Sequence, residues 1–175
     1  MSSQEGALRL RRTLAHFTTG VTVVTTSVGD SVHGMTLNAF IPLSLTPPLV
    51  AVSIARKARM HDLLAASGRF VVNILGNDQI EVSAHFAGST IYGYAAPFVW
   101  ENGFPRIEGA LAHISASVTD SKVVGDHTLY IGHVDCDEIT DGTPLVFFGG
   151  KYRDLSEKYV PSQYVDAWSM FDVVP

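Results

Sequence analysis

VHGMTLNAFIPLSLTPPLVAVSIARKAR, residues 32–59, is the stretch whose reading decides the fold. It opens as a strand, His33 to Ala39, in which polar side chains alternate with small and apolar ones. It turns at Thr46-Pro47-Pro48 and runs on as a nearly unbroken apolar strand from Leu49 to Ala55. It closes on Arg56-Lys57-Ala58-Arg59, just ahead of a predicted helix. Strand ends that offer Thr and Asn groups beside a basic helix entry suit a flat polar ring that carries a phosphate.

Working outward, Val21 to Val28 is almost wholly β-branched and predicts a strand. Gly29-Asp30-Ser31 turns it into an antiparallel hairpin with the strand at 33–39. Upstream, residues 7–19 read as an amphipathic helix carrying Leu10, Leu14 and Phe17 at helical spacing, with Gly20 as a stop. Downstream, a short helix from Met60 to Ser67 is closed by Gly68, and Arg69 to Leu75 is a strand with Asn73 its one polar member. Asn77 or Asp78 can cap a helix running through Glu81, Val82 and His85. Ser89 to Gly109 reads as a long loop. Ala110–Val124 and Thr128–Ile139 are long strands joined through Gly125-Asp126-His127, and Pro144–Phe148 is a last strand. Many strands in hairpins and few short helices predict a mainly β fold, a closed or nearly closed barrel. No GxGxxG follows the first strand, which excludes a Rossmann site.

With 175 residues the chain fits one domain. Hydrophobic residues make up 46% and charged ones 17%, an apolar surplus that fits burial between subunits. A formal charge of -5 argues against a nucleic-acid partner. A single cysteine, Cys136, excludes an internal disulfide and fits a reducing cytoplasm. The opening MSSQEGALRLRR has no apolar core of a secretory signal, and no apolar run reaches the ~20 residues that span a bilayer. The expectation is a cytoplasmic protein with no membrane contact.

Arg56, Lys57 and Arg59 place three of twelve basic residues where a strand feeds a helix, which fits a phosphate clamp and a solvated basic turn alike. Thr36 and Asn38, two apart, share a face if both lie in a strand; Asn38 either meets a ligand or caps a bulge with its own backbone. His127 sits in the turn between the long strands, where it can donate to a ring carbonyl or be a turn residue without a partner. His133, ~20 Å further along the strand, cannot share a metal with it, and His16, His61 and His113 show no ligand spacing. No metal is expected. Ser44, Ser53 and Ser83 lie outside any GxSxG elbow, and Cys136 reads as a packed, unreactive thiol.

Read together in order, these pieces closely resemble the flavin reductase-like family, small FMN-binding split-barrel proteins that include the reductase components of two-component flavin monooxygenases. The resemblance runs from about Leu14 to Leu155, leaving a C-terminal tail at 156–175 within the single domain 1–175. It rests on FTTGVTVVTT at 17–26, HGMTLNAFIPLSLTPPLVAVSI at 33–54, SGRFVVNIL at 67–75, VSAHFAG at 82–88, GALAHISASV at 109–118 and GDHTLYIGHV at 125–134. Two places depart: His85 stands where many relatives carry Arg, and Ile41-Pro42-Leu43 where Ser or Thr is frequent.

The resemblance implies a six-stranded, mostly antiparallel split barrel acting as a homodimer, with FMN or FAD near the subunit interface. It assigns cofactor binding to Gly34, Met35, Thr36, Leu37, Asn38 and Ala39 around the ring. Ser53, Ile54, Ala55, Arg56 and Lys57 take the ribityl chain and phosphate, with His85 and Phe86 approaching the same tail. His127 becomes the catalytic residue beside the ring and the incoming NADH or NADPH. The implied activity is hydride transfer from NAD(P)H to flavin, with reduced flavin diffusing to a partner monooxygenase. The alternatives are a flavin carrier, or a split-barrel flavoprotein that acts on an organic substrate without efficient NAD(P)H turnover.

Overall fold

A computed structural model describes residues 3–89 and 91–155; the tail at 156–175 lies outside the described residues. The fold is mainly β. The main sheet has seven strands, in chain order β2 (Thr22–Val28), β3 (Ser31–Leu37), β4 (Phe40–Leu45), β5 (Pro48–Ala55), β6 (Arg69–Ile74), β9 (Ala112–Val124) and β10 (His127–Ile139). Their order across the sheet is β3-β2-β6-β9-β10-β5-β4, antiparallel throughout. The shorter strands are β1 (Thr19–Gly20), a hairpin of β7 (Phe98–Glu101) with β8 (Phe104–Ile107), and β11 (Val146–Phe148) with β12 (Lys151–Arg153). Strands β1, β11 and β12 form a small three-stranded sheet.

The strand count corrects the expected six, and the hydrogen-bonded ladder is open between β3 and β4, not closed. The seventh strand is β4, to which the reading of 33–55 assigned no strand, and Pro42 lies within it. Proline is tolerated on a sheet edge, and Pro42 sits on the outermost strand, opposite Val50 at a register shift. Only Asn38 and Ala39 separate the two edge strands, so Leu37 and Phe40 lie within about 11 Å of each other. The sheet is therefore curled, and it encloses one core. Val24, Leu37, Val50, Val52, Ile54, Phe70, Val72, Ala116 and Tyr130 are buried there, with Met35 and Phe40 packed against them.

Three helices complete the described fold: α1 (Ser3–Leu14), α2 (Arg59–Ser67) and α3 (Ile80–Phe86). Helix α2 sends Met60 and Leu64, both fully buried, into the core, each worth about 1.5–3 kcal/mol of burial. It ends where expected, at Gly68, whose φ of 66° lets its N–H return to the Leu64 carbonyl at 2.9 Å. Its other end is fastened to β10: the Tyr130 hydroxyl donates to the His61 carbonyl at 3.0 Å, and His61 Nε2 pairs with Thr128 Oγ1 at 3.0 Å.

Strand β2 is covered on both sides. Val24 faces the barrel core, while Val23 joins Val21, Leu75, Val82, Ile107 and Leu145 in a second cluster. The β7–β8 hairpin and α3 lie over that outer side, and the hairpin corrects the reading of 89–109 as loop. Its turn is Asn102-Gly103, both with positive φ (50° and 76°), the Asn-Gly signature of a tight hairpin. Buried Asn73 pins it: its amide donates to Val23 O at 2.8 Å and Thr25 Oγ1 at 3.1 Å, and its Oδ1 accepts from the Ile107 N–H at 2.8 Å.

Helix α1 begins at Ser3, ahead of the expected residue 7, and two further helix ends differ from expectation. Helix α1 stops at Leu14, well before Gly20, because Thr19 and Gly20 are taken up in pairing with Phe147 and Val146. Helix α3 is preceded by Gln79, not capped by Asn77 or Asp78; the Asn77 N–H is spent on the Thr143 carbonyl. No helix among the described residues is long and apolar enough to cross a membrane.

Candidate functional site at the open edge of the barrel

The corner at which β3 hands over to β4 is held from three sides. Thr22 Oγ1 donates to the Leu37 carbonyl at 2.8 Å, Asn38 Nδ2 donates to Thr19 Oγ1 at 3.2 Å, and the Ser53 N–H donates to the Ala39 carbonyl at 3.1 Å. Strand β3 has ended by Leu37, so Asn38 does not share a strand face with Thr36. Its amide is exposed and reaches Thr19 instead of capping its own backbone. Thr36 points the other way, donating to the Ser83 carbonyl at 2.7 Å. Met35, Leu37 and Ile54 turn inward to the core, which leaves only their main chain to meet a ligand.

Strand β5 carries the next group. Ser53 lies opposite Leu129 and Ala55 opposite His127 in the β5–β10 ladder, and the Arg56 N–H donates to the Asp126 carbonyl at 2.9 Å. Arg56, Lys57 and Arg59 are exposed. Ala58 precedes α2 with no side-chain cap, so the first turn presents free N–H groups and the positive end of the helix dipole beside three cations. His127 is the first residue of β10, not a turn residue, and its Nδ1 lies 2.7 Å from Asp126 Oδ1. That hydrogen bond, the His127 charge and, more weakly, Lys57 hold the Asp126 carboxyl below its ordinary range.

The structure thus brings 38–39, 53–57 and 126–127 together along β4, β5 and β10. His85 and Phe86 fall elsewhere. They end α3, which packs on β3 at the far edge of the sheet order, and Phe86 lies so close to Gly34 that a Cβ there would meet its ring at 2.5 Å. His85 lies between Phe86 and Tyr94, edge-on to the first and tilted against the second, with ring centroids 4.9 and 4.7 Å away. A cleft of about 330 Å³ opens there, lined by His33, Gly34, His85, Phe86, Ala96 and Phe98 among others. Burial first, and the Arg59 charge second, push the His33 pKa below its ordinary value.

A second cleft, about 210 Å³, adjoins the corner and contains residues the sequence reading left out of the site. Thr36 and Asn38 line it with Val21, Ser83, Phe147 and Tyr152, and the Tyr152 hydroxyl bonds Ser83 Oγ at 2.8 Å. Tyr152 lies about seventy residues from its partner in sequence, so only topology could join them. Among the described residues no group of three or more His, Cys, Asp or Glu is placed to hold a metal.

The donor set fits a phosphorylated polar ring: the side chains of Ser53 and Arg56 make no hydrogen bond or ion pair with any described residue, and the Asn38 amide has a single partner. Residues 14–156 match the flavin reductase like domain. The NADH-dependent flavin reductase of a Rhodococcus species is 47% identical over 151 residues, covering 85% of this chain and 86% of its own. The reductase component of 4-hydroxyphenylacetate 3-monooxygenase from Thermus thermophilus is 40% identical over 146 residues, covering 83% and 94%. The solved structure of flavin reductase PheA2 in its native state superposes with a TM-score of 0.84 at 43% identity, over 90% of this chain and 100% of that one. The chain belongs to the flavin reductase-like domain family.

Proposed function

We propose that this chain is an NADH-dependent flavin reductase that passes reduced flavin to a partner monooxygenase. The observation that carries the reading is the convergence of residues 38–39, 53–57 and 126–127 along one edge of the barrel, each segment supplying a different kind of group. The main chain at 36–39 offers N–H and C=O groups to the polar edge of a ring. Ser53 is placed for the ribityl chain, and Arg56 and Lys57, with the start of α2, for the phosphate. The flavin, when bound, supplies the hydride-accepting chemistry. The protein's part is to align two rings, exclude water and hold charge-stabilising donors in place. His127, with Nδ1 engaged by Asp126, keeps Nε2 free to face the ring or the nicotinamide.

The same reading takes the chain as one cytoplasmic domain that works as a homodimer. Exposed Ile41, Leu43 and Leu45 on the edge strand β4, with Ile139 on β10, form an apolar margin suited to a second copy. FMN and FAD are both accommodated at the ring and first phosphate. The test is NADH consumption by the purified protein with and without added flavin. Turnover that saturates with flavin is expected. A flavin-loaded protein that consumes NADH no faster than free flavin does would sink the reductase reading and leave a flavin carrier in its place.

A further inference from the structure

We infer that Cys136, set between Arg106 of β8 and Ser115 of β9, is a peroxide-reactive thiol that hydrogen peroxide oxidises to a sulfenic acid. The thiol is partly exposed, not packed away as its sequence context suggests. Just past the bulge at Asp135 it stands opposite Ser115 in the β9–β10 ladder, so the two side chains share a face. The neighbouring carboxylates turn elsewhere. Asp135 accepts from Ser117 Oγ at 2.7 Å, and Asp137 stands opposite Ile114, which packs on the barrel core from the other face. Arg106 reaches the thiol instead, its Nη2 donating to Cys136 Sγ at 3.7 Å.

Two buried donors beside that sulfur are unused. Arg106 is 2% exposed and Ser115 0%, yet Arg106 Nε and Ser115 Oγ have no hydrogen-bond partner among the described residues. Glu101 and Glu138 both accept from Nη1, which fixes the guanidinium with its other edge, Nη2 and Nε, on the side of the thiol. That edge is a fork of two parallel N–H groups and suits a pair of adjacent oxygens. Buried donors are rarely left unpaired, and a two-oxygen acceptor held there lies against the sulfur. The sulfur attacks the near oxygen of peroxide, and the S–O bond forms as the O–O bond breaks. The far oxygen leaves as hydroxide, takes up the thiol's proton and becomes water; the thiol has lost two electrons and the peroxide has gained them. The new sulfenic oxygen accepts from both idle donors. With one cysteine in the chain no internal disulfide can follow. A small thiol therefore displaces water to give a mixed disulfide, and a second one leaves as a disulfide with the first and restores Cys136. The proposed reductase activity supplies the oxidant, because reduced flavin that meets dioxygen before a monooxygenase yields peroxide. That source rests on the proposed activity; the reactive thiol does not.

The experiment treats the full chain, free of flavin and NADH, with hydrogen peroxide, traps sulfenic acid with dimedone and reads it by mass spectrometry. Cys136 is the one cysteine, so the label reports its own site. The folded chain should be labelled about tenfold faster than the same chain unfolded in urea, where the thiol has no fixed neighbours. Ser115→Ala should slow the folded rate roughly fivefold, the scale of one hydrogen bond in the transition state. It removes a hydroxyl that no described group uses, so its urea midpoint should stay in place. Arg106→Lys, checked by circular dichroism, keeps a cation but loses the fork and should slow labelling about tenfold. A folded chain labelled no faster than the unfolded one overturns the inference, as does a Ser115→Ala or a folded Arg106→Lys protein that keeps the natural rate. In air with NADH and flavin but no monooxygenase, label should build up on Cys136, and catalase should abolish it. A chain that reacts with added peroxide and consumes NADH, yet gains no label in that turnover, overturns the source and leaves the site standing. One that reacts with peroxide but consumes no NADH overturns the reductase reading alone.

Discussion

Asp126 fastens two parts of the site at once: its Oδ1 lies 2.7 Å from His127 Nδ1, and its carbonyl accepts the Arg56 N–H at 2.9 Å. The carboxylate sets which nitrogen of His127 is engaged, and the backbone bond ties that ring to the residue proposed for the phosphate. Side-chain and main-chain roles can be separated by mutation, because only the first is lost on substitution.

Asp126→Ala should lower kcat/KM for NADH about tenfold, the range expected when a positioned donor loses its orientation, with little change in flavin affinity. The Asp126 carboxyl is held below its ordinary range, so the pair persists as pH falls through the usual carboxylate range and is lost only below it. Steady-state kinetics across acid pH check both points. An unchanged kcat/KM in a folded Asp126→Ala protein would count against the pair having any part in turnover.

Asn73→Ala should cost about 2–4 kcal/mol of stability. It is fully buried, and its loss leaves the Ile107 N–H without its partner and strips the Val23 carbonyl and Thr25 hydroxyl of a donor. Urea unfolding measures the change. Because Asn73 joins β6 to the β7–β8 hairpin, amide exchange in residues 98–107 should accelerate more than in β9 or β10.

Arg106 is almost fully buried and ion-paired to Glu101 and, at 2.7 Å, to Glu138, with Cys136 Sγ 3.7 Å from its other terminal nitrogen. Both carboxylates are about half exposed. Replacing both acids by Gln strands a buried cation and should cost about 3 kcal/mol or more. Arg106→Met returns two carboxylates to water and should cost less. Thermal unfolding of the two variants side by side decides it, and the reverse order would show that the acids, not the arginine, dominate the cluster.

His33 should titrate below the ordinary histidine range in an NMR pH series. Burial is the larger cause, so Arg59→Gln should move it only part of the way back. With its folded pKa depressed, the stability His33 contributes is present above the ordinary histidine range and is lost as pH falls through the lowered value. A His33 resonance that titrates at the ordinary value would show that the imidazole is neither buried nor near Arg59.

Most of the barrel was legible in β-branched runs and turn residues. The runs 21–28, 49–55 and 69–75 become β2, β5 and β6, and Gly68 ends α2 as its neighbours suggest. What the sequence hid was context. Pro42 masks an edge strand because proline forbids the middle of a sheet but not its margin. Thr36 and Asn38 look like one face until the strand stops at Leu37. Arg106 sits in FPRI, four buried residues with no local sign that Glu101 and Glu138 meet there. Tyr152 meets Ser83, and His85 meets Tyr94, through packing that no spacing rule encodes. The Asn102-Gly103 hairpin is different: its signature was in plain view within a stretch read as loop.

Two residues, Asn38 and Ala39, join the first and last strands of the seven-strand order. An ordinary open sheet has two loose margins, and either can peel away or recruit another chain while the rest stays folded. Here the margins are leashed to each other, so neither can swing out without dragging its counterpart across the barrel mouth. Lengthening that leash by a few glycines should leave every ladder intact yet free both margins, turning a self-limiting sheet into one prone to polymerise.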